Sequence, residues 1–172
     1  MSSMILSGDT SGAITVTVPA VAGTNTITLP AATGTVLVSG NQPAFSAYAG
    51  LGTSLSNNTF TKILFDTEEY DTNNNYDSSR FTPTIAGYYQ LSAGFGYGGS
   101  GGTNSPCYIY KNGSPYRVFG NGQGGYGGAT GLVYMNGTTD YAEIYVYQNS
   151  GGTITTGTST QCFFSGVLVR TA

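Results

Sequence analysis

Tyr88-Tyr89-Gln90-Leu91-Ser92-Ala93-Gly94-Phe95-Gly96-Tyr97 places Tyr89, Leu91, Ala93, Phe95 and Tyr97 at every second position. Successive side chains on a β-strand point to opposite faces, so these five share one face. The segment therefore predicts a strand with one apolar side. No window of the sequence has a convincing helical period, and no βαβ unit is visible.

The same texture extends in both directions. Phe45-Ser46-Ala47-Tyr48 and Thr61-Lys62-Ile63-Leu64-Phe65 read as earlier strands. Between Glu68 and Ser79 the chain is polar and rich in asparagine, which reads as a long loop. Phe81-Thr82 leads into Pro83, and Ala86-Gly87 makes a turn. Pro106 to Lys111 is a strand closed by Asn112-Gly113, a dipeptide suited to the positive φ angles of a tight hairpin. Tyr116 to Phe119 is short, and Ala129 to Met135 precedes a second Asn-Gly turn at Asn136-Gly137. Ala142, Ile144 and Val146 then share one strand face, with Tyr141, Glu143, Tyr145 and Tyr147 on the other. Cys162 to Val169 is apolar enough to predict a central strand rather than an exposed edge. Many short strands between Gly and Asn turns indicate an antiparallel sandwich or jelly roll.

The 172 residues suffice for one ordinary domain and an extension. Charged residues make up 8 % of the chain, with 5 Lys plus Arg, 8 Asp plus Glu and no His. The net charge of −3 and the scattered cations oppose a nucleic-acid surface, which needs clustered Lys and Arg. No run of apolar residues is long enough for a membrane-spanning helix, and Met1 to Leu6 lacks the basic start of a signal peptide. Cys107 and Cys162 could form one disulfide. Buried free thiols are the commoner arrangement in strand-like segments.

Residues 1–42 differ from the rest. Gly12, Gly23 and Gly34 are spaced by eleven, and Thr15-Val16-Thr17-Val18-Pro19-Ala20 aligns with Thr26-Ile27-Thr28-Leu29-Pro30-Ala31. Aliphatic residues alternate with Thr in each copy, which predicts short strands ended by Pro19 and Pro30. Thr35-Val36-Leu37-Val38 reads as a third run. Such units bury little alone and predict a segment ordered by assembly, as an anchor or shaft, with 43–172 as a separate head. The segment resembles the Gly- and Thr-rich repeats of bacteriophage tail and fibre proteins.

Four landmarks in the second part carry a sharper resemblance. They are Phe45-Ser46-Ala47; Tyr76-Asp77 with Phe81-Thr82-Pro83 and Gly87-Tyr88-Tyr89; Tyr110-Lys111-Asn112-Gly113; and Phe164-Ser165-Gly166-Val167-Leu168. Their order and spacing resemble the globular head of complement-type proteins, in the tumour-necrosis-factor-like jelly-roll superfamily. The resemblance implies a jelly roll of about ten strands and a homotrimer around a threefold axis. It does not carry complement or cytokine function. The collagen stalk typical of that family is absent, since no G-x-y period exists.

Catalysis finds little support in the residues. Without His, the Ser-His-Asp and Cys-His arrangements are excluded. A glycosidase needs two carboxylates held across a cleft, whereas Asp66, Glu68, Glu69, Asp71 and Asp77 crowd into one polar stretch. Glu68, Asp71 and Asp77 are also the weak candidates for Ca²⁺, which prefers hard oxygen ligands. Asp71, Asn73 and Asn75 copy the opening of an EF-hand loop, but Tyr76 and Thr82 stand where that loop needs Gly and Glu. The glycine-rich stretches 94–105, 120–128 and 148–152 suggest adaptable loops. Within or beside them Tyr97, Tyr116, Tyr126 and Asn149 are candidates for contact with a host surface glycan or protein. The sequence thus predicts a non-enzymatic trimeric virion protein, first as a phage tail-fibre or spike tip that recognises the host. A capsid decoration or head-fibre protein, bound to other virion proteins through residues 1–42, is the alternative.

Overall fold

The computed structural model describes residues 3–21, 23–28, 31, 36, 38, 40, 42–97, 105–121 and 125–172. The chain divides into two compact units, Met1–Gly34 and Thr35–Ala172.

In the first unit β1 (Ser3–Ser7) pairs antiparallel with β2 (Ala13–Thr17), from Ser3 opposite Thr17 to Ser7 opposite Ala13. The Gly8 N–H donates to the Gly12 carbonyl at 3.0 Å across the turn. Met4, Ile5, Leu6, Ile14 and Val16 are all exposed. The repeat-based expectation is only partly met. Thr15-Val16-Thr17 is in a strand, but its partner is the upstream segment, which the repeat did not single out. Thr26, Ile27 and Thr28 belong to no strand, while Leu29, Pro30, Thr35 and Leu37 lie outside the described residues. A short local turn closes the hairpin at low entropic cost.

The second unit contains β3 (Ala44–Tyr48), β4 (Ser54–Leu55), β5 (Thr59–Lys62), β6 (Thr67–Asp71), β7 (Tyr76–Asp77), β8 (Arg80–Phe81) and β9 (Gly87–Gly96). It continues with β10 (Pro106–Lys111), β11 (Ser114–Asn121), β12 (Tyr126–Met135), β13 (Ala142–Gln148), β14 (Ile154–Thr155) and β15 (Phe163–Thr171). One sheet has the order β12-β9-β15-β3-β6. The other has the order β11-β10-β13-β8-β7, with β5 also pairing β13. A short β14–β4 pair completes an all-β, antiparallel sandwich.

Tyr89, Leu91, Ala93, Phe95 and Tyr97 are buried together, as their alternation predicts. From the facing sheet come Ile109, Ile144 and Val146, all fully buried. Phe45 sits at the aromatic centre of this core. Its ring stacks on Tyr76 at 5.0 Å and Phe81 at 4.4 Å, and meets the edge of Phe164 at 4.9 Å. β15 lies between β9 and β3, the central position its composition predicts. Gly166 lets β15 pass this cluster, because a Cβ there would stand 2.7 Å from the Phe45 ring and 2.6 Å from Leu91. Asn112 and Gly113 both have positive φ and form the expected tight turn between β10 and β11.

The expected loop from Glu68 to Ser79 is instead half strand, with bends at 72–75 and 78–79. β6 pairs with β3, and β7 with β8. Both lie at sheet edges, where outward side chains remain polar and hide the alternation. The Asp71 carboxylate makes the bend between them by accepting from the backbone N–H groups of Asn73 and Tyr76, at 3.2 and 2.6 Å. The strand expected over Thr61–Phe65 ends at Lys62. Beyond it, Leu64 N–H donates to Thr53 Oγ1 and Phe65 N–H to Ser79 Oγ, so side-chain hydroxyls replace the ladder.

Candidate functional site

One end of the sandwich gathers three of the four sequence-predicted contact residues. Tyr97 follows β9, Tyr126 begins β12, and Asn149 follows β13, at the same end of the two sheets. Their surroundings differ. Tyr97 is only 4 % exposed. Its hydroxyl shares a 2.7 Å hydrogen bond with Ser105, and its ring stacks on Phe95 at 6.0 Å. It is therefore a core residue in this fold and presents no contact surface, a correction to its expected role. The alternation that buried its neighbours in sequence buries it too.

Tyr126 is 60 % exposed. It is not in a loop, as its glycine-rich neighbourhood suggested, but pairs with Gly96 at the start of β12. The glycines extend the strand here because a Cβ at Gly127 would stand 2.5 Å from the Phe95 ring, and one at Gly96 2.8 Å from Tyr126 itself. Asn149 is exposed. Tyr116 lies apart, within β11, half-buried against the core, with the Arg117 guanidinium 4.4 Å from its ring centre.

The carboxylates suggested for Ca²⁺ do not converge. Glu68 and Asp77 line a hollow of about 470 Å³ together with Asp66, Tyr76 and Ser79, but Asp71 is not part of it. Asp71 directs both oxygens to its own bend, and Asp77 accepts from the Ser78 hydroxyl at 3.0 Å. Among the described residues no three His, Cys, Asp or Glu side chains are close enough together to hold a metal.

The buried carboxylates serve structure. Glu143 Oε1 lies 2.9 Å from both Lys62 Nζ and Arg80 Nε. Asp140 meets Lys111 Nζ at 2.8 Å and accepts from the Asn112 side chain and the Asn136 N–H. Burial pushes both carboxyls up, but these donors outweigh it and hold both below the ordinary carboxylate range. A carboxyl depressed in the folded state stabilises above its unfolded pKa and loses that contribution as pH falls through its folded value. Melting temperature should therefore fall as acid passes below the ordinary carboxylate range. The double variant Glu143→Gln with Asp140→Asn should melt lower at neutral pH but show a flatter acid slope. Parallel slopes in thermal melts across this range would refute the assignment.

Cys107 and Cys162 are both buried free thiols. Burial pushes the Cys107 thiol up to about 12, so no thiolate is available near neutrality. Both should resist a water-soluble thiol reagent in the native protein and react together on denaturation, which a timed colorimetric assay reads. Rapid labelling without unfolding would contradict the burial.

Sequence reasoning passed over the surface richest in aromatic rings. On the outer face of the second sheet, Phe60 of β5, Tyr108 and Tyr110 of β10, and Tyr145 and Tyr147 of β13 stand together. Tyr110 stacks on Tyr145 at 4.1 Å, while Phe60 lies 5.2 Å from Tyr108 and 5.1 Å from Tyr147. The alternation of Tyr145 and Tyr147 with Ile144 and Val146 was legible, but not which strands would flank β13. The outer face of the first sheet differs. There Leu132, Phe163, Val167 and Val169 are exposed beside Tyr88 and Tyr134.

Asp71, Asp140 and Glu143 are thus committed to turns and ion pairs. No protein-family model and no curated protein matches it. Solved structures do. The globular domain of zebrafish complement 1qA protein is 14 % identical with a TM-score of 0.53, covering 76 % of this chain and 99 % of that one. The PRD1 vertex protein P5 is 14 % identical with a TM-score of 0.57, covering 74 % and 97 %. Murine APRIL is 10 % identical with a TM-score of 0.55, covering 74 % and 99 %. At such identities the likeness is one of fold: the chain has an antiparallel β-sandwich resembling the jelly-roll heads of these proteins.

Proposed function

We propose that this protein is a non-enzymatic component of a virus particle, a trimeric capsid decoration or vertex-type protein whose residues 1–42 attach it to other virion proteins. The observation that carries the reading is the jelly-roll sandwich it shares with the PRD1 vertex protein P5. The Gly- and Thr-rich N-terminal segment, which resembles repeats of bacteriophage tail and fibre proteins, favours a bacterial virus.

The exposed surface supports assembly. Leu132, Phe163, Val167 and Val169, with Tyr88 and Tyr134, are exposed on the outer face of one sheet around a polar strip of Gln90, Ser92 and Thr130. Monomers seldom leave such an area uncovered. A trimer packed through this face would cover it. Light scattering on the purified protein at micromolar concentration should give three times the chain mass. Replacing both Val167 and Leu132 by Lys should lower that mass, and a wild-type monomer would remove the trimer from the proposal. Labelling on intact particles tests location: signal on the capsid supports decoration, and signal confined to the tail overturns it.

Host recognition at a tail tip is the second reading. It is supported by the exposed Tyr126 and Asn149 at one end of the sandwich. Saturable binding to host cells that blocks phage adsorption would favour it.

A further inference from the structure

We propose that the aromatic outer face of the second sheet is a binding platform for a neutral oligosaccharide. Phe60, Tyr108, Tyr145 and Tyr147 form it, with the buried Tyr110 stacked against Tyr145, and it would serve whether the protein decorates a capsid or sits at a tail tip. The site belongs to the head alone and does not depend on the contact residues suggested by the loops.

The rings are built into adjacent strands. Phe60 stands opposite Tyr147 in the β5–β13 ladder, and Tyr108 stands opposite Tyr145 in the β10–β13 ladder. Three strands side by side span about 10 Å, enough for more than one sugar ring. The side chains hold each other in place: the Tyr110–Tyr145 stack is 4.1 Å between centres and inclined by 25°. Tyr147 is further fixed by a 3.1 Å hydrogen bond from its hydroxyl to Asn58 Oδ1. Rings already ordered lose little conformational freedom when a ligand settles on them.

Three features select a sugar over other occupants. First, three of the four surface rings are tyrosines. An aromatic face accepts the C–H groups of a pyranose, and the phenol can exchange hydrogen bonds with its hydroxyls. Second, the surrounding charge is balanced. Lys62 and Arg80 both contact Glu143, and Asp77 stands opposite Arg80 in the β7–β8 ladder. Neither of these two cations is free for a phosphate or carboxylate, so the ligand that suits this part of the face is uncharged. Third, the two outer faces are chemically unlike. Exposed aliphatic side chains are more numerous on the opposite sheet, with Leu132, Val167 and Val169, than here, where Val118 stands opposite Tyr108. Phe60 nevertheless remains 47 % exposed at the middle of the tyrosine group.

The test uses the full-length protein on an array of neutral oligosaccharides, hexose and N-acetylhexosamine chains of three to six units. Fluorescence titration then follows with the best of them. Saturable binding is expected, with tyrosine fluorescence changing as the sugar covers the rings. Phe60→Ala and Tyr147→Ala should each weaken binding by about tenfold or more without changing the oligomeric mass. Tyr147→Phe should retain most of the stacking. Melting curves identify any variant that fails to fold, in which case Tyr147→Phe against Tyr147→Lys supplies the comparison. Absence of binding to every neutral sugar overturns the proposal. So does binding that survives Phe60→Ala and Tyr147→Ala, or dissociation of the oligomer by these changes, which would make the face a subunit contact.

Discussion

Phe45→Ala is expected to cost about 3–5 kcal/mol of folding stability, the largest loss from any single side chain considered. Phe45 is fully buried and contacts Tyr76, Phe81 and Phe164 by ring packing. These partners come from β7, β8 and β15, so one side chain joins both sheets. The cavity left by Ala would be lined by aromatic rings that are themselves held from several sides. Tyr76 is pinned by a 2.9 Å hydrogen bond from its hydroxyl to the Phe65 carbonyl, and Phe81 lies 5.2 Å from Tyr89. Collapse into the cavity is therefore restricted, which places the cost toward the upper part of the range. Urea denaturation of the variant and wild type measures it. A loss below about 1 kcal/mol would show that the aromatic centre repacks freely.

Gly137→Ala should destabilise by about 2–5 kcal/mol, combining left-handed backbone strain with a steric collision. Gly137 has a φ of +72°, and a Cβ there would run into Ala86 N and stand 2.8 Å from the Ile85 carbonyl carbon. Both neighbours are backbone, so neither can rotate away. The turn is fixed from its other side as well, because Asn136 Oδ1 accepts from the N–H groups of Thr138, Thr139 and Asp140. Gly151→Ala is the matched comparison. Its φ is +91°, but nothing lies within 4 Å of the new carbon. It should show the backbone cost alone, about 1–2 kcal/mol. Equal losses for the two variants in denaturant melts would remove the collision from the account.

The strands legible in the sequence were those whose two faces meet different surroundings. β9 and β13 each have a buried face and an outer one, and their alternation was plain. β10 was bounded correctly by its Asn-Gly turn, whose two positive φ angles few other dipeptides adopt. β6 was misread because Thr67-Glu68-Glu69-Tyr70-Asp71 at a sheet edge needs no apolar face. The start of β12 was misread for the opposite reason. Gly127 and Gly128 are there to pass close to Phe95 and Ala93 across the ladder, a requirement visible only after pairing. The same limit governs the candidate site. Local texture identified Tyr126 as a surface residue, but it could not separate it from Tyr97, and the Phe60 platform exists only through strands distant in sequence.

The position of β15 has a consequence for how the protein is made. β3 and β9 each leave one edge for it, and β15 follows β3 by on the order of a hundred residues. While the nascent chain emerges, those two edges remain open and their inward-facing side chains lack the Phe164 and Leu168 that later cover them. Until β15 is added, the first sheet exists only as two separate pairs, β12–β9 and β3–β6. Completion of that sheet therefore waits on synthesis of β15. Crowded polysomes are therefore a stage at which a β15 from one copy could enter the gap of another.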